Sequence, residues 1–104
     1  MDPVVRRTPL ARQLDDGSLA GEVITVDRFG NLVTNLVGVR AGTVSVAGRV
    51  VGDLARTYAD GQAGQLVALV GSTGLVEIAV RDGSAARVLG VGRGAPVLLG
   101  PARS

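Results

Sequence analysis

From residue 21 onward, short runs rich in valine and leucine recur at roughly ten-residue spacing, each closed by glycine or a polar pair. Within a run, apolar and polar positions alternate, which marks a strand with one face turned inward. The runs predict strands over 22–27, 31–37, 43–47, 49–54, 65–71, 75–80 and 96–99. A tight corner at Arg28-Phe29-Gly30, a reversal at Gly48 and a hairpin turn at Ser72-Thr73-Gly74 separate them. Residues 57–61 read as a loop. Ser84 is placed to cap one short helix over 85–89, with Gly90 at its C-terminal end.

Six to seven short strands and one short helix predict an all-β domain, either a sandwich or a small closed or nearly closed barrel of Greek-key-like form. Closure is the favoured form, because an open sheet of this size leaves bare edges. Residues 1–19 break the pattern: Pro3, Pro9 and the Asp15-Asp16-Gly17-Ser18 cluster read as an extended leader or interdomain linker ending in a turn. The barrel is expected over 20–100, with 101–104 as a tail. A length of 104 residues suits one domain with one modest core.

Composition narrows the chemistry. Cysteine and histidine are both absent. Thiolate chemistry is excluded, and so are the usual general base near neutral pH and the commonest metal ligand. Every basic residue is arginine, and three of them (Arg6, Arg7, Arg12) crowd the first twelve residues, yet the net charge is only +2. Such a short basic run reads as a solvated leader, although it could touch nucleic acid or an anionic membrane. No apolar stretch approaches the roughly 20 residues of a membrane span, and a cytoplasmic protein is expected.

Two segments join polar side chains to glycine in a way that core strands do not require. The first runs from Asp27 through Phe29 and Gly30 to Asn31, continuing to Thr34 and Asn35. An acidic acceptor, an amide and an aromatic plate around a tight turn suit a planar, amine-bearing ligand. The same residues suit a plain corner in which Asp27 and Asn31 cap backbone groups and Phe29 fills core. The second segment is Gly71-Ser72-Thr73-Gly74, where Ser72 and Thr73 could hold a carboxylate or phosphate, or could simply turn a hairpin. It lacks the lysine and spacing of a Walker loop. Glu77 falls on the solvent side if Val76, Ile78 and Val80 face the core. Tyr58 is either a stacking residue or a cover for the barrel end.

The VDRFGNLVTN run within residues 21–36, the GSTGLVEIAV run ending at Val80, and the following DGSAARVLG together resemble one family. It is the C-terminal domain of the S-adenosyl-L-methionine hydroxide adenosyltransferases, relatives of the fluorinating and chlorinating enzymes. The likeness extends over about residues 17–100. It implies a C-terminal β-barrel partnered by an N-terminal α/β domain, a homotrimer with sites between subunits, and attack of water or hydroxide at the ribose C5′ to give adenosine and methionine. It also implies roles. Asp27, helped by Ser72, holds the methionine amino group, and Asn31 reads the adenine edge. Phe29 and Tyr58 form aromatic walls, and the backbone from Val80 to Asp82 lies near the base. Thr73 stands where the halogenating relatives carry a carboxylate-binding arginine, which argues against a halogenase. The water-activating Asp, Arg and His belong to the N-terminal domain. The chain is therefore expected to bind S-adenosyl-L-methionine or adenosine without completing the reaction, and it is assigned no catalytic residue, metal ligand or cofactor. A free-standing barrel that binds RNA or protein is the rival reading. A pseudo-subunit that only assembles partners is a third.

Overall fold

The computed structural model describes residues 11–55 and 64–101. Their elements are β1 (Arg12–Gln13), β2 (Leu19–Val26), β3 (Leu32–Val37), β4 (Thr43–Val46), β5 (Arg49–Ala55), β6 (Leu66–Val70), β7 (Leu75–Val80), α1 (Ala85–Leu89) and β8 (Pro96–Gly100). Alternation decides the inward face, as β7 shows: Val76, Ile78 and Val80 are buried, while Leu75 and Glu77 on the other face are only partly so. The strands run in the order β1-β2-β3-β7-β6-β5-β4-β8, and β8 pairs back onto β2 through Leu19↔Leu99 and Gly21↔Val97. The seven strands β2 to β8 thus close into a barrel with one short helix, as the sequence pattern predicts. Every pairing is antiparallel except one. β5 and β6 lie parallel, joined through Leu54↔Ala68 and Ala55↔Leu69.

Inside, Val23, Leu32, Leu36, Val44, Val76 and Ile78 are fully enclosed. Burial of each such side chain contributes about 1.5–3 kcal/mol, and together they hold the barrel shut. Helix α1 packs Ala85 and Leu89 into this core near the ends of β2 and β7. The Ser84 hydroxyl accepts the Arg87 N–H at 3.2 Å, and Gly90 ends the helix in the left-handed region at φ 67°, its N–H donating to the Ala86 carbonyl. Both caps stand where the sequence puts them.

Two features depart from the sequence pattern. β2 begins at Leu19, earlier than its alternation suggests, because β8 holds Leu19, Ala20 and Gly21 in the sheet whatever their polarity. Ahead of it, β1 pairs Arg12 with Ala20 and Gln13 with Leu19, so the end of the leader forms a small hairpin around the turn at Asp16. The second departure concerns Thr34 and Asn35, both buried at a slip in the β3–β7 register. The Thr34 hydroxyl donates to the Val76 carbonyl at 2.8 Å and accepts the Leu36 N–H at 3.2 Å. Asn35 accepts the Glu22 N–H through Oδ1 at 2.9 Å. These side chains satisfy backbone groups that the bulge leaves without ladder partners. They serve the barrel wall.

Candidate functional site

The corner between β2 and β3 is built around Asp27. Its Oδ1 accepts the N–H of Phe29 at 2.8 Å and that of Asn31 at 3.0 Å, while Oδ2 accepts a side-chain N–H of Asn31 at 3.1 Å. The backbone closes the same loop: Asp27 N–H donates to the Asn31 carbonyl, and Gly30 N–H to the Asp27 carbonyl, each at 3.0 Å. Gly30 sits at φ 85°, where a side chain would be strained. Asp27 is therefore a capping residue, as one of the two sequence readings has it. Phe29 does not fill core; it is 68% exposed, with the Arg28 guanidinium 5.6 Å from its ring centre. An exposed aromatic on a hydrogen-bonded corner leaves a face for a partner.

The opposing wall is the turn after β7. Asp82 adopts φ 61°, unusual for a residue other than glycine, and the Gly83 N–H donates to the Val80 carbonyl at 3.2 Å. The two corners are bolted together. Ala86 N–H donates to the Gly30 carbonyl at 2.9 Å, and a Cβ on Gly30 would lie only 2.0 Å from the Ser84 hydroxyl. Between them opens a cleft of about 480 Å³ lined by Phe29, Asn31, Asp82 and Gly83. Because Asp27 takes one N–H of Asn31, the amide is turned so that its oxygen and second N–H remain for another partner. Such a pair can meet the donor–acceptor edge of adenine.

The structure brings Phe29 and Asn31 together in the cleft, with Asp27 behind them. The Val80 side chain belongs to the core, so only its backbone faces this region. Ser72 and Thr73 are exposed on the β6–β7 tip. The register pairs Leu32 with Ile78 and Val37 with Leu75, which sets that tip at the far end of β7 from the corner. Asn31 and Ser72 therefore stand at opposite ends of β7. Tyr58 lies outside the described residues. Sequence reasoning gave little weight to the side chain of Asp82 and none to Gly83 as cleft wall. The Asp-Gly pair directly after a strand is the signal that marks such a turn. Among the described residues, no three potential metal-binding side chains gather, and no helix is long and apolar enough to cross a membrane.

Comparison with known proteins places these features. Residues 21–98 match the family model of the SAM hydroxide adenosyltransferase C-terminal domain. A curated (R)-S-adenosyl-L-methionine hydrolase of Thermus thermophilus is 47% identical over 94 residues, which cover 89% of this chain and 35% of that protein. Another of the same name, from Salinispora arenicola, is 40% identical over 81% of this chain and 33% of its own length. The chain thus spans about a third of the curated relatives it matches. Among solved structures, a conserved hypothetical protein of Thermus thermophilus superposes with TM-score 0.70 at 44% identity, over 90% of this chain and 39% of its own. An uncharacterised conserved protein of Thermotoga maritima gives 0.74 at 27% identity, over 96% of this chain and 42% of its own. The matched residues contain both corners, the hairpin tip and most of the barrel, and the chain belongs to the SAM hydroxide adenosyltransferase C-terminal domain family.

Proposed function

We propose that this barrel forms the substrate-recognition wall of a SAM hydrolase, which releases adenosine and L-methionine once an N-terminal α/β domain positions the water or hydroxide. The observation that carries the reading is the exposed Phe29 ring beside an Asn31 amide already oriented by Asp27. Phe29 offers a stacking face to adenine, and Asn31 offers one acceptor and one donor to its edge. Asp27 orients Phe29 and Asn31 through three hydrogen bonds within the corner, and the family resemblance also assigns it, with Ser72, to the methionine amino group.

Ser72 and Thr73, at the other end of β7, are assigned to the methionine end. The ligand would lie along the outer face of β7 with C5′ turned toward the partner domain. Catalysis by this chain is then catalysis by orientation, in which a displacement of 1 Å can cost roughly a hundredfold. The same reading takes the full-length enzyme as a cytoplasmic homotrimer that binds no nucleic acid.

Calorimetric titration of the chain with adenosine tests the assignment. Saturable binding is expected, weakened about tenfold or more in Asn31→Ala and in Phe29→Ala, which corresponds to about 1.4 kcal/mol each. Absence of heat with millimolar adenosine, both alone and after addition of a family N-terminal domain, would overturn it.

A further inference from the structure

The letters Asp-Gly-Ser occur twice among the described residues, at Asp16-Gly17-Ser18 before β2 and at Asp82-Gly83-Ser84 after β7. A further Asp-Gly pair, Asp60-Gly61, lies outside them. Both described aspartates are exposed, yet their turns hold them in opposite ways. In the first turn Gly17 takes the left-handed position at φ 89°, and Asp16 Oδ1 accepts the Ser18 N–H at 2.9 Å. In the second the aspartate itself takes that position, Asp82 at φ 61°, while the Ser84 hydroxyl accepts the Arg87 N–H as a helix cap. Among the described residues, no hydrogen bond or ion pair engages the Asp82 carboxylate. The glycine N–H is also held less closely there: Gly17 donates to the Leu14 carbonyl at 3.0 Å, Gly83 to the Val80 carbonyl at 3.2 Å.

Aspartate followed by glycine can rearrange. The glycine nitrogen, with no side chain beside it to block the approach, attacks the aspartyl Cγ. The N–Cγ bond forms, the Cγ–OH bond of the protonated carboxyl breaks, and water leaves with the amide proton. Water then adds to the α-carbonyl of the five-membered imide and opens it. The backbone now runs on through Cβ and Cγ, and the α-carboxylate is set free. One water is lost and one regained, so the sum is an isomerisation to isoaspartate. A hydrogen-bonded carboxylate resists the first step. The Ser18 backbone N–H, with its hydroxyl second, keeps the Asp16 carboxyl ionised to lower pH than usual. Asp82 has no such restraint, and it adopts a left-handed backbone that L side chains resist. Isomerisation inserts a methylene at that linkage and releases the strain. We infer that Asp82 is a modification site, at which the folded chain isomerises to isoaspartate in preference to Asp16. Asp82 and Gly83 line the cleft with Phe29 and Asn31, so the added methylene displaces one of its walls.

The inference does not depend on what the cleft binds, and its test reads the backbone directly. The chain is held for weeks in warm, mildly acidic buffer, where enough carboxyl is protonated to react. Isoaspartate is then located by electron-transfer fragmentation of its peptides. A second sample is unfolded in guanidinium chloride and aged beside it. In the unfolded chain the two sites should react at similar rates, because Gly-Ser follows the aspartate in both. In the folded chain Asp82 should accumulate isoaspartate several-fold faster than Asp16. A folded-state ratio no different from the unfolded one, or a faster rate at Asp16, would overturn the inference. So would a folded chain in which Asp82 does not change at all. Circular dichroism of the folded sample confirms that the barrel stays intact throughout.

Discussion

The two ends of β7 carry similar text, a few polar residues set among glycines, yet they are built differently. At the corner end, Asp27 ties Phe29 and Asn31 to itself, and Gly30 is wedged against Ser84 and bonded to Ala86. At the tip, the turn is closed by its own backbone: Gly71 N–H donates to the Leu75 carbonyl at 2.8 Å, and Gly74 N–H to the Gly71 carbonyl at 2.9 Å. Ser72 and Thr73 stand out into solvent. A cross-braced corner holds its side chains in place before a ligand arrives, so less ordering is needed on binding. The tip holds only its backbone. If the corner takes adenine as proposed, recognition there is a matter of fit, whereas a ligand at the tip would have to order the side chains it meets.

Two glycines put this contrast to its severest test. Gly30 and Gly74 have nearly the same φ, 85° and 86°, but a Cβ at Gly30 would strike Ser84 while one at Gly74 meets nothing within 4 Å. Gly74→Ala should cost only the left-handed strain, about 1–2 kcal/mol. Gly30→Ala adds the clash and should cost about 3–5 kcal/mol in all. Urea unfolding measures both, and equal losses would mean that the bolt between corners is not tight.

A smaller effect is expected from the side chains. Asp27→Ala frees two backbone N–H groups and the Asn31 amide, costing about 1–2 kcal/mol, in the range of a lost helix cap. Ser72→Ala should stay within about 0.5 kcal/mol of the parent. Thermal melts distinguish these, and adenosine titration should separate them further, since only the first variant misorients Asn31.

The smallest effect concerns the turn before β2. The Ser18 backbone N–H, with its hydroxyl second, holds the exposed Asp16 carboxyl below the ordinary aspartate value. A lowered folded-state pKa means a contribution that is present above the unfolded value and lost as pH falls through the folded one. The Ser18 amide resonance should therefore shift with acid below the usual aspartate range, and Asp16→Asn should abolish that titration. The barrel itself should not respond through this group.

Much of this was readable from the residues, and the failures have a common cause. Alternation located each barrel strand to within a few residues, and Ser84 with Gly90 marked the helix, because these signals are local. The β5–β6 parallel contact was not readable, since neither strand encodes which neighbour it meets. Thr34 and Asn35 looked like ligand-binding residues because a slip in register leaves no mark in the text of one strand. Phe29 could have gone inward or outward on its spacing alone, and it lies outside, 68% exposed. Alternation puts Glu77 on the solvent side once Val76, Ile78 and Val80 face the core, but the space at Gly71 that receives it arises from the hairpin's closure. A site made by two turns at the ends of a strand belongs to the sheet and leaves no trace in the alternation of one strand.

Finally, β8 pairs with β2 on one side and β4 on the other, through Leu19↔Leu99 and Val44↔Leu99 among others. Among the described strands it is the last in chain order, and so the last of them to leave the ribosome. Until it does, β2 and β4 both present open edges, and the barrel has no way to close around its valines. The growing chain therefore carries adhesive borders until β8 emerges, as an unsealed sheet open to wrong pairing. Sealing comes in one late step, when Pro96–Gly100 drops between two strands made long before it.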